Sequence, residues 1–253
     1  MNSLESATFE YLLRLGDSDL ILAQRLAEWS GHGPALEEEL ATANVGLDLL
    51  GQARLWYGYA VELEGEGRSE DDLAFLRDSS AWRNVLLVEQ PNGHYGDTLA
   101  RQFLFDSWHH RILAALTASR DERIGEIAAK SLKEVTYHVR RSADMVVRLG
   151  DGTAESHARM QAAFERLWPF TGEMFSVDRV EELLSEAKII PAGETVAADW
   201  HRDVDGVLEL ATLTRPASAW MQSGGKSGRH SEHLGRLLAE MQFLQRAYPG
   251  AQW

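Results

Sequence analysis

At 253 residues, 44% hydrophobic and 25% charged, the chain can bury a sizeable core as a soluble globular protein. Its formal net charge of −14 argues against nucleic acid and anionic membrane as partners, because their phosphates repel it; a small anion in a local basic pocket stays allowed. The absence of cysteine rules out disulfides, thiolate nucleophiles and zinc–sulfur sites.

The opening MNSLESATFEY has neither a basic start nor an apolar core, so no secretory leader is expected there. No run approaches the roughly 20 apolar residues that span a bilayer. With the missing cysteines, this leads us to expect a cytoplasmic protein. Phe9–Trp29 reads as a first helix, kinked at Gly16-Asp17, with Asp19, Leu22, Leu26 and Trp29 on one face and Gly31, Gly33 and Pro34 as stops. The second, Ala35–Leu63, carries two apolar faces: Leu36, Leu40, Ala43, Leu47 and Leu50 at 4-3-4-3 spacing, and Val45, Leu49 and Trp56 with Gln52 among them. Only Glu37, Asn44, Asp48 and Glu62 look built for water. A helix apolar on two sides is sandwiched between its own core and something else.

Residues 64–96 form a long connection with a short amphipathic piece at Asp71–Asp78. Asp97 is a good N-cap for a third helix running to Ser119, with Leu99, Phe103, Asp106, His110 and Leu113 on its core face. The fourth runs over Asp121–Leu149 with Ile124, Ile127 or Ala128, Ser131, Val135, His138 and Met145 inward, and Gly150-Asp151-Gly152 ends it. Helices are then expected at Ala154–Phe175, bent near Pro169, and at Val180–Lys188, Val196–Leu213 and Ser231–Tyr248, the last preceded by a Gly-rich loop, Ser223–Gly228. Short turns join helices one–two and three–four, and a long crossover joins two–three. That wiring predicts an all-α, ferritin-like four-helix bundle with added C-terminal helices. We expect a single domain over 1–253, with its bundle core at 9–149 and accessory helices at 153–253. No tandem repeat or low-complexity tract stands out.

Di-iron bundles place one carboxylate on each of two helices and a Glu-x-x-His on each of the other two. Here the first helix offers Asp19 and the third Asp106. The second offers Leu49 and Gln52, and the fourth has Val135 before His138. Two carboxylates and one imidazole cannot balance and hold two ferrous ions, so a metal-free centre is expected. Its buried polar remnants, Asp19, Gln52, Asp106 and His138, should then form a hydrogen-bonded or watered cluster, in which Asp106 facing a protonated His138 is one arrangement.

The segments LGDSDLILAQRLAEWSGHGPALE, ANVGLDLLGQAR, NVLLVEQPNG, KEVTYHVR and GRHSEHLGRLLAEMQFLQRAYPGAQW resemble the C subunits of bacterial phenylacetyl-CoA epoxidases (ring 1,2-phenylacetyl-CoA monooxygenases), over essentially the whole chain. The resemblance implies a non-catalytic ferritin-like subunit in aerobic phenylacetate degradation, without a cofactor of its own. Its implied partner is the similar A subunit, which is catalytic and holds the di-iron site. A small bridging subunit joins the two in larger complexes and a reductase serves them; an isolated chain would form a homodimer. The resemblance sets the degenerate di-iron positions at Asp19, Leu49, Gln52, Asp106, Val135 and His138, in agreement with the reading of the residues. It also associates Ala81, Trp82, Arg83 and Asn84, and more weakly Glu182, Leu183 and Leu184, with phenylacetyl-CoA. An aromatic beside a guanidinium suits adenine and phosphate; the same residues suit packing of the crossover or an interface.

Weaker motifs have plainer readings. Asp106 and His109 have metal-pair spacing, but Asp97, Asp106, His109 and His110 cannot all face one point, so a core aspartate beside surface or interface histidines is expected. With His138, the residues His230, Glu232 and His233 suggest zinc, yet sequence-adjacent His and Glu at a helix start read as caps and solvated groups. Gly224-Gly225-Lys226-Ser227 ends like a phosphate loop, but Trp220 stands where a glycine is required and no strand precedes it. Lys226 and Arg229 on a flexible loop remain available to an anion or partner. Two other classes stay open. An oxygenase with unusual ligands would bind iron and consume oxygen on its own; a stand-alone helical binding module would be a monomer with no exposed apolar face.

Overall fold

The computed structural model describes residues 3–217 and 220–251. Met1 and Asn2, which open the stretch read for a leader, and Gln252 and Trp253, which close the last resembling segment and the expected 1–253 domain, lie outside the described residues. Among the described residues there is helix and no strand, as the periodicity predicts. The α-helices are α1 (Ser3–Ala27), α2 (Leu36–Glu64), α3 (Glu70–Phe75), α4 (Tyr95–Leu116), α5 (Glu122–Gly150), α6 (Ala154–Leu167), α7 (Arg179–Glu186), α8 (Gly193–Leu210), α9 (Glu232–Met241) and α10 (Phe243–Ala247). They fall into two compact units: one reaches to Pro91 and resumes at Ser223, the other is Asn92–Gln222. No helix among the described residues is long and apolar enough to cross a membrane.

The first unit is organised by α1 packing along α2. Every residue from Tyr11 to Ala23 is buried, so α1 is a core helix on all sides rather than an amphipathic one. It begins at Ser3, six residues before the expected start, and runs through Gly16-Asp17 without a break. Gly16 is there for space: a Cβ would lie 2.6 Å from Cε1 of the Tyr57 ring.

On α2 the inward face is the second of the two expected stripes. Thr42, Val45, Leu49, Gln52, Ala53, Trp56, Tyr57 and Ala60 are buried. Leu36, Leu40, Leu47 and Leu50 are 69%, 56%, 65% and 38% exposed. Both stripes have helical spacing; the one with Gly46 and Ala53 lets α1 approach closely. At Gly51, among the exposed leucines, an added Cβ would meet nothing within 4 Å. A glycine inside a helix costs about 1 kcal/mol relative to alanine, and among the described residues no contact offsets that cost.

The crossover contains α3, started by a Ser69–Asp72 capping box, and a 3-10 turn at Ser79–Ala81. α9 and α10 occupy the place of the single last helix. The interruption falls at Gln242, whose side-chain amide donates to the carbonyls of Ala74 and Arg77.

In the second unit α4 packs against α5, α6 and α8. The start of α4 departs from expectation. His94 is the N-cap and Asp97 is three residues in; the Asp97 amide donates to His94 Nδ1 (3.2 Å), and the His94 amide donates to Asp97 Oδ2 (3.0 Å). This is a capping box, and Asp97 also pairs with Arg166 of α6. Asp121 caps α5 as its sequence predicts, accepting from the Ile124 amide at 3.1 Å. Ser142 and Val146 are buried in place of the expected Met145, because 3.6-residue periodicity drifts over so long a helix. α6 ends at Leu167 and the chain continues through 3-10 turns at Trp168–Phe170 and Gly172–Phe175, the bend that Pro169 foretells. Trp168 and Phe175 close on the buried Trp200 of α8, whose Nε1 donates to the Leu104 carbonyl at 3.0 Å.

Candidate functional site

Within the first unit, Asp19 sits on α1 and Leu49 and Gln52 on α2; within the second, Asp106 sits on α4 and Val135 and His138 on α5. All six are buried, with Leu49 and Val135 at 0% exposure. The i,i+3 spacing therefore turns both members of each degenerate pair away from solvent, as it would turn metal ligands. Their chemistry decides what they can hold. Asp19, Asp106 and His138 carry donor atoms that suit iron. Gln52 offers a neutral amide, and Leu49 and Val135 offer none. This donor set does not fit a carboxylate-bridged pair of ferrous ions. Among the described residues no group of three or more His, Asp or Glu converges on a point that could hold a metal.

The surroundings of Asp106 suit a carboxyl group rather than a ligand. Gln102 Nε2 donates to its Oδ1 at 2.6 Å and Ser142 Oγ to its Oδ2 at 2.8 Å. Burial raises its pKa to about 6, against the charge of His138 and the bonds from Ser142 and Gln102, which lower it. Sequence reasoning sets His138 opposite Asp106, and charge does couple them; the amide of Gln102 and hydroxyl of Ser142, not foreseen, make the bonds.

His109 and His110 exchange the expected roles. His109 is buried, stacked on Trp108 and tilted against the Phe105 ring, and burial pushes it down to about 3, so it is neutral at physiological pH. His110 is half-buried.

The Ala81–Asn84 stretch is tied into the first unit. Trp82 is wholly buried, with the Arg77 guanidinium 4.6 Å from its ring centre. Arg83 donates its backbone N–H to Asp17 Oδ2 (2.7 Å) and its Nε to Glu10 Oε1 (2.6 Å). Asn84 is buried against Glu89 at 3.1 Å. Beneath them lies a network that sequence reasoning missed. Asp17 accepts from the Tyr57 hydroxyl (2.5 Å) and from both terminal nitrogens of Arg77. Burial works against the charge of Arg77, and Asp17 overcomes it, so the guanidinium holds its proton more tightly than usual. Burial, then the Asp17 charge, raises the Tyr57 phenol. The available signal was an aspartate beside a glycine inside an otherwise apolar helix.

A second missed cluster joins crossover and C-terminal segment. Glu89, fully buried, receives His230 Nδ1 (2.9 Å), the Ser231 amide (2.7 Å) and Asn84. The other ring nitrogen of His230 faces the Trp82 carbonyl at 3.0 Å. Burial lowers the His230 pKa, and these acceptors outweigh it and raise it overall. The His230 ring, its side chain 4% exposed, is thus bound to Glu89 rather than a solvated cap; Ser231 caps α9. Lys226 is also buried rather than displayed on a loop, while Arg229 is exposed. On α7, Glu182 is exposed and pairs with Arg179 (3.2 Å), Leu183 is half-buried and Leu184 is fully buried.

Residues 1–253 match the sequence model of the family described as phenylacetic acid catabolic protein. The chain is 51% identical over 243 residues to the C subunit of the 1,2-phenylacetyl-CoA epoxidase of Escherichia coli (strain K12), covering 96% of this chain and 98% of that protein.

Proposed function

Because the chain belongs to the phenylacetic acid catabolic protein family, a ferritin-like one, we propose that it is a metal-free, non-catalytic subunit of a cytoplasmic phenylacetyl-CoA 1,2-epoxidase. The observation that carries the reading is apolar: Leu49 and Val135, both fully buried, occupy the positions from which the two Glu-x-x-His motifs would supply carboxylates. Without them iron lacks the negative charge it needs. Both oxygens of Asp106 already accept bonds within the second unit, from Gln102 and Ser142, which suits a carboxyl group satisfied without a metal.

The role is then to hold a partner. That partner is the di-iron catalytic subunit, and the bridging protein and reductase of the same system complete the assembly. The Ala81–Asn84 stretch acts in this account by fixing the crossover to α1, since Trp82 and Asn84 are buried and Arg83 is bonded to Asp17 and Glu10; Glu182, Leu183 and Leu184 serve the packing of α7. Contact of either segment with phenylacetyl-CoA would read out as protection of Arg83 or Glu182 from chemical labelling when the ester is added to the assembly. Co-expression tests the role: the catalytic subunit should be soluble, stable and active only alongside this chain. A catalytic subunit equally soluble and active alone would refute it.

A further inference from the structure

Relying on the reading above only for the nature of the assembly, we propose that the outward pole of α5 seats the acidic face of a transiently bound protein, the reductase that serves the epoxidase. Lys130, Lys133, Tyr137 and Arg140 follow a 3-4-3 spacing and so stand in one line on the helix. All four are exposed, Tyr137 at 44%, on the side opposite the buried Ser131, Val135, His138 and Ser142. Neither lysine nor Arg140 makes an ion pair or a side-chain hydrogen bond among the described residues. Carboxylates stand within reach at each end of the line. Glu126 lies four residues before Lys130 and Asp144 four after Arg140, yet Glu126 pairs with Arg123 (3.6 Å) and Asp144 with Arg148 (2.9 Å).

Charge selects the occupant. Acidic residues outnumber basic ones by 39 to 25 in this chain. On α6, α8 and α9 an exposed arginine is matched within its own helix: Arg159 with Glu155, Arg202 with Asp199 and Arg236 with Glu232. Three unmatched cations in one line reverse that pattern, and the i,i+3 repulsion of the two lysines destabilises the helix. From 130 to 140 the line is about 15 Å long at 1.5 Å per residue, so its cations do not converge on one phosphate. A row of carboxylates on a protein surface meets them in turn. Three cations are too few to hold a nucleic-acid duplex, whose one charge per about 1.7 Å runs on into the acidic remainder of the chain. The same remainder turns an acidic protein away everywhere but at this stripe, which orients it. A contact built on exposed charges around one tyrosine is of the kind that forms and breaks, as electron-transfer encounters do. In an oxygenase assembly the component that comes and goes is the electron donor.

The test uses the full chain assembled with the catalytic and bridging subunits, and follows binding of the purified reductase by stopped flow at low and high salt. Lys130→Glu with Lys133→Glu should not lower the melting temperature or disturb the assembly, because neither side chain bonds within the described residues. The pair should slow association of the reductase about tenfold at low salt. High salt should abolish that difference. Tyr137→Ala should speed dissociation about fivefold at either salt, as loss of an interface aromatic does. Arg229→Glu, at an exposed cation of the first unit, should leave both rates unchanged. Wild-type association of the Lys130→Glu, Lys133→Glu variant at low salt would overturn the assignment of this face and leave the functional reading standing. A wild-type chain that does not assemble with the catalytic subunit would overturn that reading and this inference with it. Retention of a duplex oligonucleotide or of phosphatidylserine vesicles by the wild type and not by the double variant would identify a different occupant and overturn the proposal.

Discussion

Asp17 on α1 meets a guanidinium; Asp106 on α4 meets an amide and a hydroxyl. Both carboxyl groups are fully buried, and each lies in a different unit, so burial alone does not distinguish them. The difference is the charge of the partner. Arg77 offsets the desolvation of Asp17 and fastens the crossover to α1, with Tyr57 and the Arg83 amide completing the shell. Gln102 and Ser142 satisfy the oxygens of Asp106 without a cation, and its pKa rises to about 6. An ion pair makes a lock. Neutral donors leave a carboxyl group that takes up a proton at mildly acidic pH.

Removing the cation should have the largest effect. Arg77→Ala leaves Asp17 charged and unmatched in the interior and should cost about 3–5 kcal/mol, read as a lower midpoint in urea unfolding. A loss under about 1 kcal/mol would place that carboxylate in contact with water and dissolve the contrast.

At the other pole, Asp106→Asn should stabilise the protein at alkaline pH. The folded pKa of about 6 lies above the ordinary 3.8, so the protonated form is favoured by folding. That stabilisation is complete below about pH 4 and is lost as pH rises to about 6 and beyond, a swing of about 3 kcal/mol at 1.36 kcal/mol per unit. Asparagine can accept from Gln102 and donate to Ser142 without ionising. The gain over wild type should therefore approach that figure at pH 8 and vanish at pH 4, measured by unfolding at each pH.

Ser142→Ala sharpens the comparison further. It removes one donor to Asp106, should cost about 1 kcal/mol, and should move the carboxyl titration above about 6 in a carbon-13 NMR experiment. The smallest effect is expected at Glu89–His230. Because the His230 pKa is raised by folding, its contribution is complete below the ordinary histidine value and is lost as pH climbs through the raised one. The stability difference between wild type and His230→Gln should shrink steadily from pH 6 to pH 9.

Much of this architecture was legible in local pattern. The α2 boundaries, the Asp121 cap and the inward turn of Leu49, Gln52, Val135 and His138 follow from 3.6-residue spacing, which fixes a side chain's direction whatever its chemistry. What sequence spacing could not rank was two apolar faces of one helix. Leu47 and Leu49 are equally apolar, and only the fit of α1 against Gly46 and Ala53 decides which is covered. The Asp17–Arg77 and Glu89–His230 pairs join residues far apart in the chain, so no window of sequence contains them. Asp97 shows the same limit on a shorter scale: a helix may begin with a residue, as a cap, or three residues before it, within a capping box.

The most direct test of a metal-free centre is iron analysis of the purified chain after incubation with excess ferrous iron under anaerobic conditions. The account predicts no stoichiometric iron and no change in the Asp106 titration. About two irons per chain, as di-iron bundles hold, would contradict it.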